Sequence, residues 1–249
     1  LSELTLPDAA GLADQASGLR RIFDRLPANW TLVLQPPLRA GGTAESLAAR
    51  ARLLALHRGP TLVIDASRSQ VAAALGMRVR YDLAHAMAGD CDFGAACASA
   101  GGGLWVLPAA RALDEAATDE AQSRRIAQTL QAAAVGMREV VLVLPSSRIG
   151  WARQFAPLKG LQEAVIPVYG SAETATAVLT TIRQAMGELD IGTFRLLFLG
   201  MGEATASRLL SALAAIAGRH FGATLLAAAP VAEERPAARA DAPSGSDRD

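Results

Sequence analysis

Lysine is nearly absent from this chain. Of 24 basic residues one, Lys159 in "APLKGLQ", is a lysine and the rest are arginines. A loop that grips terminal phosphates with an ammonium group is therefore confined to that segment or missing. Cysteine is scarce too. Cys91 and Cys97 lie six apart, match no metal or redox spacing and suggest no disulfide framework. They read as small buried hydrophobes in a reducing cytoplasm. Aromatic residues make up 4% of the sequence and are not interleaved with basic ones, so no stacking platform for single strands is expected. Net charge is zero, which argues against nucleic acid as a partner, because phosphate neutralisation needs a basic surface. No apolar run approaches the roughly 20 residues of a membrane-spanning helix, so no stable membrane insertion is expected. The N-terminal "LSELTLPDAAGLADQ" lacks the basic and apolar regions of a signal peptide, and the expected location is the cytoplasm.

What is present is an alternation. Short apolar runs at 30–35, 61–66, 104–108, 139–145, 163–169, 194–200 and 224–230 are rich in leucine and β-branched residues. Between them lie Ala-rich stretches of helical period near 43–57, 68–75, 118–136, 171–187 and 203–220. Strands apolar on both faces, separated by helices, predict a doubly wound α/β domain with a mostly parallel sheet. That domain spans 28–230. Residues 231–249, "VAEERPAARADAPSGSDRD", are polar and read as a disordered tail. Residues 1–27 precede the first strand. Within them Leu12, Ala16, Leu19, Ile22, Phe23 and Leu26 fall on one face of a helix.

Several constellations carry little chemistry. "FLGMGEATASRLL" places Gly200 and Gly202 after a strand, but the third glycine of a dinucleotide turn is Thr205. His57, His85 and His220 show no ligand spacing. The acids at Asp90, Asp92, Asp114, Glu115, Asp119 and Glu120 stand where helix-start carboxylates complement the dipole. No nucleophile elbow appears.

The stretch "LVLQPPLRAGGTAESL" (32–47) has the outline of a phosphate loop: a strand, Gly41 and Gly42, then Thr43 opening a helix. Its chemistry is incomplete. There is no lysine, Pro36 and Pro37 remove two N–H donors, and Arg39 presents a planar fork rather than a point charge. The region 30–230 resembles the MinD/ParA group of P-loop ATPases, and within it the flagellar-number regulators of the FlhG (YlxH, FleN) type. Placing Thr43 on the family's loop threonine puts Gly42 at the catalytic lysine and Pro37 at the signature lysine. "TLVIDASRSQVAAALGMRVRYDLAHAMAGDCDF" is similar to the family's second-strand block, with Asp65 on its first acid and Ser67 in place of the second. "GGGLWVLPAA" is similar to the strand that follows, and "EVVLVLPSS" takes the place of the Walker-B strand, whose acid falls on Leu144. The resemblance implies a degenerate nucleotide site of Gly41, Gly42, Thr43 and Asp65, with no catalytic residue and no cofactor unless ATP and Mg²⁺ still bind. The alternatives are a working ATPase switch, a Rossmann-type enzyme using "GMGEAT", and a ParA-like accessory of another system such as polysaccharide secretion.

The N-terminal "DQASGLR" matches the Asp-Gln-Ala-x-x-Leu-Arg motif that the FlhG-like family carries ahead of its ATPase domain. The resemblance implies that Asp14, Gln15, Ala16, Leu19 and Arg20 activate FlhF, a GTPase related to the signal-recognition particle GTPases. Flagellar basal-body components and recruitment to the cell pole by the partner follow from the same resemblance. The residues suit docking: Gln15 stands one turn before Leu19, at the border of the apolar stripe. Its amide could orient a water for attack on a phosphate. Gly18 weakens the isolated helix by up to about 1 kcal/mol, as suits a segment that orders on binding. The competing reading is a helix packed on its own sheet, with Gln15 merely solvated.

Overall fold

All seven apolar runs form strands, and the sheet they build has one more. The computed structural model describes residues 28–37, 42–68, 70–115, 119–153, 155, 158, 161–169 and 172–229. Asp14, Gln15, Ala16, Leu19, Arg20, Gly41 and the segment 231–249 lie outside the described residues. The strands are β1 (Asn29–Gln35), β2 (Thr61–Asp65), β3 (Ala98–Gly101), β4 (Leu104–Pro108), β5 (Glu139–Pro145), β6 (Glu163–Tyr169), β7 (Thr193–Leu199) and β8 (Thr224–Ala227). Their order in the sheet is β3-β4-β2-β5-β1-β6-β7-β8. Every pairing is parallel except that of β3 with β4.

β3 was not expected. "ASAG" has no β-branched or bulky residue, so it carries no strand signal of its own. It forms because Gly101, Gly102 and Gly103, all at positive φ, turn the chain back onto β4.

The helices are α1 (Thr43–Arg58), α2 (Val71–Ala74), α3 (Leu83–Ala88), α4 (Phe93–Ala96), α5 (Ala110–Glu115), α6 (Glu120–Ala133), α7 (Ile149–Ala152), α8 (Ala172–Leu189) and α9 (Glu203–Phe221). Two of the short ones, α3 and α4, start at side-chain caps. Asp82 accepts from the backbone N–H of His85, and the His85 ring accepts from Asp82 N–H, closing a capping box on α3. Asp92 accepts from Ala95 N–H, and Asp119 from Ala121 and Gln122 N–H, as the reading of helix-start acids predicts. Asp114 and Glu115 depart from it: both stand at the end of α5 and pair with arginines instead.

Helices cover both faces. On one, Leu47, Ala51 and Leu54 of α1 and Val71 of α2 pack on Val33, Val63, Val143 and Val165. On the other, Ile126 and Leu130 of α6, Val178 and Ile182 of α8, and Leu213 and Ala217 of α9 pack on alternate residues such as Leu34, Ile64, Ile166 and Leu196. The result is a mostly parallel, doubly wound α/β sheet. No helix among the described residues is long and apolar enough to cross a membrane.

Candidate functional site

In an open parallel sheet, ligands sit beyond the C-terminal ends of the strands, where crossovers diverge. Here that rim is formed by β2, β5, β1 and β6, which end at Asp65, Pro145, Gln35 and Tyr169. Gly42 takes φ 90°, a left-handed conformation, and its carbonyl accepts from Ser46 N–H as α1 begins. Thr43, the first residue of that helix, is buried. Thr43 and Asp65 thus belong to one rim, with β5 between their strands. Two strand spacings separate β1 from β2, about 10 Å.

Asp65 is fully engaged as a bracket. One carboxylate oxygen accepts from both the backbone N–H and the hydroxyl of Ser67, each at 3.1 Å. The other accepts from Val71 N–H at 3.3 Å, the first residue of α2. The loop between contains two non-glycine residues at positive φ, Arg68 (57°) and Gln70 (62°). Such backbone persists only where its surroundings hold it, and Asp65 binds both ends of the segment. Arg68 extends to Asp114, which also accepts from Arg148 at 3.0 Å. The loops after β2, β4 and β5 are tied together through that one carboxylate.

Leu144, where the resemblance would place an acid, is completely buried on the face covered by α6. It pairs across the sheet with Leu34, which is equally buried. Among the described residues no cluster of three or more His, Cys, Asp or Glu side chains could hold a metal. A cavity of 280 Å³ lies elsewhere, between α3, α5 and α6, bordered by Met87, Glu115, Gln122 and Arg125.

Tyr169 is the residue the sequence reading missed. Its hydroxyl is buried at the end of β6 with no hydrogen-bond partner among the described residues. Burial, reinforced by the negative charge of Glu45 in the first turn of α1, pushes its pKa up to about 12. No local pattern could have revealed it. Its position beside α1 depends on β6 pairing with β1 across a long stretch of sequence.

The remaining candidates have structural places. His57 and His220 lie in the last turns of α1 and α9. Cys91 and Cys97 are free and half-buried. "GMGEAT" forms the turn from β7 into α9 and the start of that helix, one strand out from Tyr169, which pairs with Leu199 at the end of β7.

Neither family models nor curated proteins match this chain. Solved structures do. MinD in the MinC:MinD cell-division complex of Aquifex aeolicus superposes with a TM-score of 0.55 at 16% identity, over 82% of each chain. McdA of Cyanothece, solved as an ATP complex, gives 0.53 at 14% identity, over 80% of this chain and 83% of that one. Cobyrinic acid a,c-diamide synthase from Mycobacterium smegmatis gives 0.55 at 14% identity, over 82% and 86%. The chain has the fold of a MinD-type P-loop NTPase. At such identities the likeness fixes the fold alone. In this MinD-like sheet β1 holds the central position, so the segment "QPPLRAGGT" follows the strand from which a phosphate loop would spring.

Two outcomes test the rim. Asp65→Ala removes three hydrogen bonds that hold a strained loop and the start of α2, and should destabilise by about 1–2 kcal/mol in urea unfolding. Tyr169→Phe removes a buried, unpartnered hydroxyl and should leave stability unchanged or raise it by about 1 kcal/mol. Because folding raises the Tyr169 pKa, the unfolded chain releases this proton first. Its contribution is therefore present below pH 10 and lost as pH rises from 10 towards 12. Absorbance at 295 nm should show a tyrosine ionising only near pH 12, absent from Tyr169→Phe.

Proposed function

We propose that this chain is an FlhG-like regulator of flagellar number or placement, which stimulates an FlhF-like GTPase through residues 14–20 and carries a degenerate nucleotide site. The observation that carries the reading is the sequence "DQASGLR" standing directly ahead of a MinD-type fold. Asp14, Gln15, Ala16, Leu19 and Arg20 occupy the positions of the activator motif. The partner is the GTPase, and through it the basal body at the cell pole. The regulator acts in the cytoplasm.

The rim supports the second half of the reading. MgATP needs a cation against its terminal phosphates and an oxygen ligand for the metal. The single lysine of the chain lies at position 159, and Pro36 and Pro37 offer no N–H. The strand where an acid would stand presents Leu144 to the core instead. Asp65, the acid that remains, is spent on Ser67 and Val71. These residues do not fit MgATP, so no hydrolytic step is assigned to them.

Calorimetry at millimolar MgATP should accordingly show neither binding nor turnover. Micromolar binding abolished by Thr43→Ala would overturn the degenerate-site reading.

The activator role separates by residue. A peptide of residues 1–26 should stimulate the GTPase on its own. Leu19→Ala should weaken its binding by about 1–3 kcal/mol, as for a buried interface anchor. Gln15→Ala should leave binding nearly unchanged and lower the stimulated rate, because the amide acts near the transition state. Single-turnover GTP hydrolysis at saturating peptide, with a separate binding isotherm, distinguishes the two. A Gln15→Ala peptide that stimulates like the parent would reduce the segment to a docking element.

A further inference from the structure

The two edges of the sheet are built differently. β3 closes one of them, and its register against β4 shifts between Ser99 and Gly101, so it offers no regular ladder to a further strand. β8 forms the other edge. Its ladder with β7 is regular and parallel, from Thr224 opposite Thr193 to Ala227 opposite Leu196. Natural edges are blunted by charge, proline or a bulge. β8 has none of these, since "GATLLAAA" (222–229) carries neither charge nor proline. Among the described residues nothing pairs with its outer side. The described chain beyond it turns inward, where the Ala229 carbonyl accepts from Arg50 of α1 at 3.4 Å.

Which backbone groups face outward follows from the ladder. Thr224 N–H donates to the Gly192 carbonyl and Ala228 N–H to that of Leu196, so residues 224, 226 and 228 face β7. The N–H and C=O groups of Leu225 and Ala227 therefore point away from the sheet. Side chains at this edge are apolar on both faces. Leu226, 39% exposed, shares a face with Arg195, whose charge is met by Glu163 at 2.9 Å. On the other face Leu225 joins the core with Leu213 and Ala217 of α9, while Ala227 and, on α9, Ile216 stay exposed.

We infer that β8 pairs with β8 of a second copy of this chain, antiparallel about a two-fold axis at Leu226, giving a dimer with one continuous sheet. A two-fold axis sets each residue near it against its own kind, so a charged surface repels itself there. Residues 222–229 are free of charge. Centring the axis on Leu226 overlaps the whole run from Thr224 to Ala228. Leu225 then exchanges N–H···O bonds with Ala227 of the other copy, and Ala227 with its Leu225. Leu226 stands opposite its twin in a non-hydrogen-bonded pair, where Cα atoms lie about 4.5 Å apart and side chains are closest. The contact buries the bulky side chain that a single copy leaves in water. The strands of the two copies run in opposite directions, so their rims open at opposite ends and no nucleotide is needed between them. The ladder is short, at the low end of specific interfaces, and sets a dissociation constant of about 10–100 μM. The inference stands independently of the activator reading.

Sedimentation of the full chain between about 1 and 200 μM should show a monomer passing into a dimer, with or without MgATP. Ala227→Pro removes an outward N–H from each copy and spares the bonds to β7. It should weaken the dimer about tenfold or more and leave the thermal midpoint of the dilute monomer unchanged. Leu226→Lys and Leu226→Asp set like charges opposite each other, and each should be monomeric. Mixed in equal amounts they should dimerise again, which requires position 226 to face itself. With Cys91 and Cys97 replaced by serine, Leu226→Cys should oxidise to a disulfide between copies. Amide exchange should find Leu225 and Ala227 protected in the dimer and open in the monomer. A chain still monomeric at about 200 μM overturns the inference. So does a dimer that Ala227→Pro and Leu226→Lys leave intact, which belongs to another surface, or a Lys–Asp mixture that stays monomeric. Protection of Leu225 and Ala227 in the monomer makes another part of the chain the occupant and overturns it as well.

Discussion

A parallel sheet with apolar side chains on both faces has to be covered twice, and this requirement organises the molecule. β1, β2 and β5 satisfy it completely: Leu32, Val33, Leu34, Leu62, Ile64, Leu142 and Val143 are all sealed from solvent. Such burial stabilises by about 1.5–3 kcal/mol for each large aliphatic, so this block of three strands dominates the stability of the domain. The register that aligns Asn29 with Glu139 and Asp65 with Val143 also sets the rim. Everything at the rim inherits its position from those pairings.

At the rim, a carboxylate with three donors around it has a different job from one facing a phosphate. Asp65 closes the turn from β2 into α2 and holds Arg68 and Gln70 in left-handed backbone. With Asp114 joining Arg68 and Arg148, the loops that would move around a nucleotide are stitched to one another. Exposed pairs of this kind contribute little stability, yet they restrict loop geometry.

How far the sequence reveals this depends on how local each signal is. The seven strands other than β3 were legible because both faces of each are apolar, a pattern contained within four to seven residues. β3 was not, since its pairing comes from three glycines and from β4 rather than from its own side chains. The short helices α3 and α4 escaped for the complementary reason: the caps Asp82 and Asp92 define them, and four to six residues hold little more than one helical period. At the site, Thr43 and Asp65 could be found by motif. That Asp65 is occupied by Ser67 and Val71, and that Tyr169 stands unpartnered beside α1, are consequences of tertiary placement.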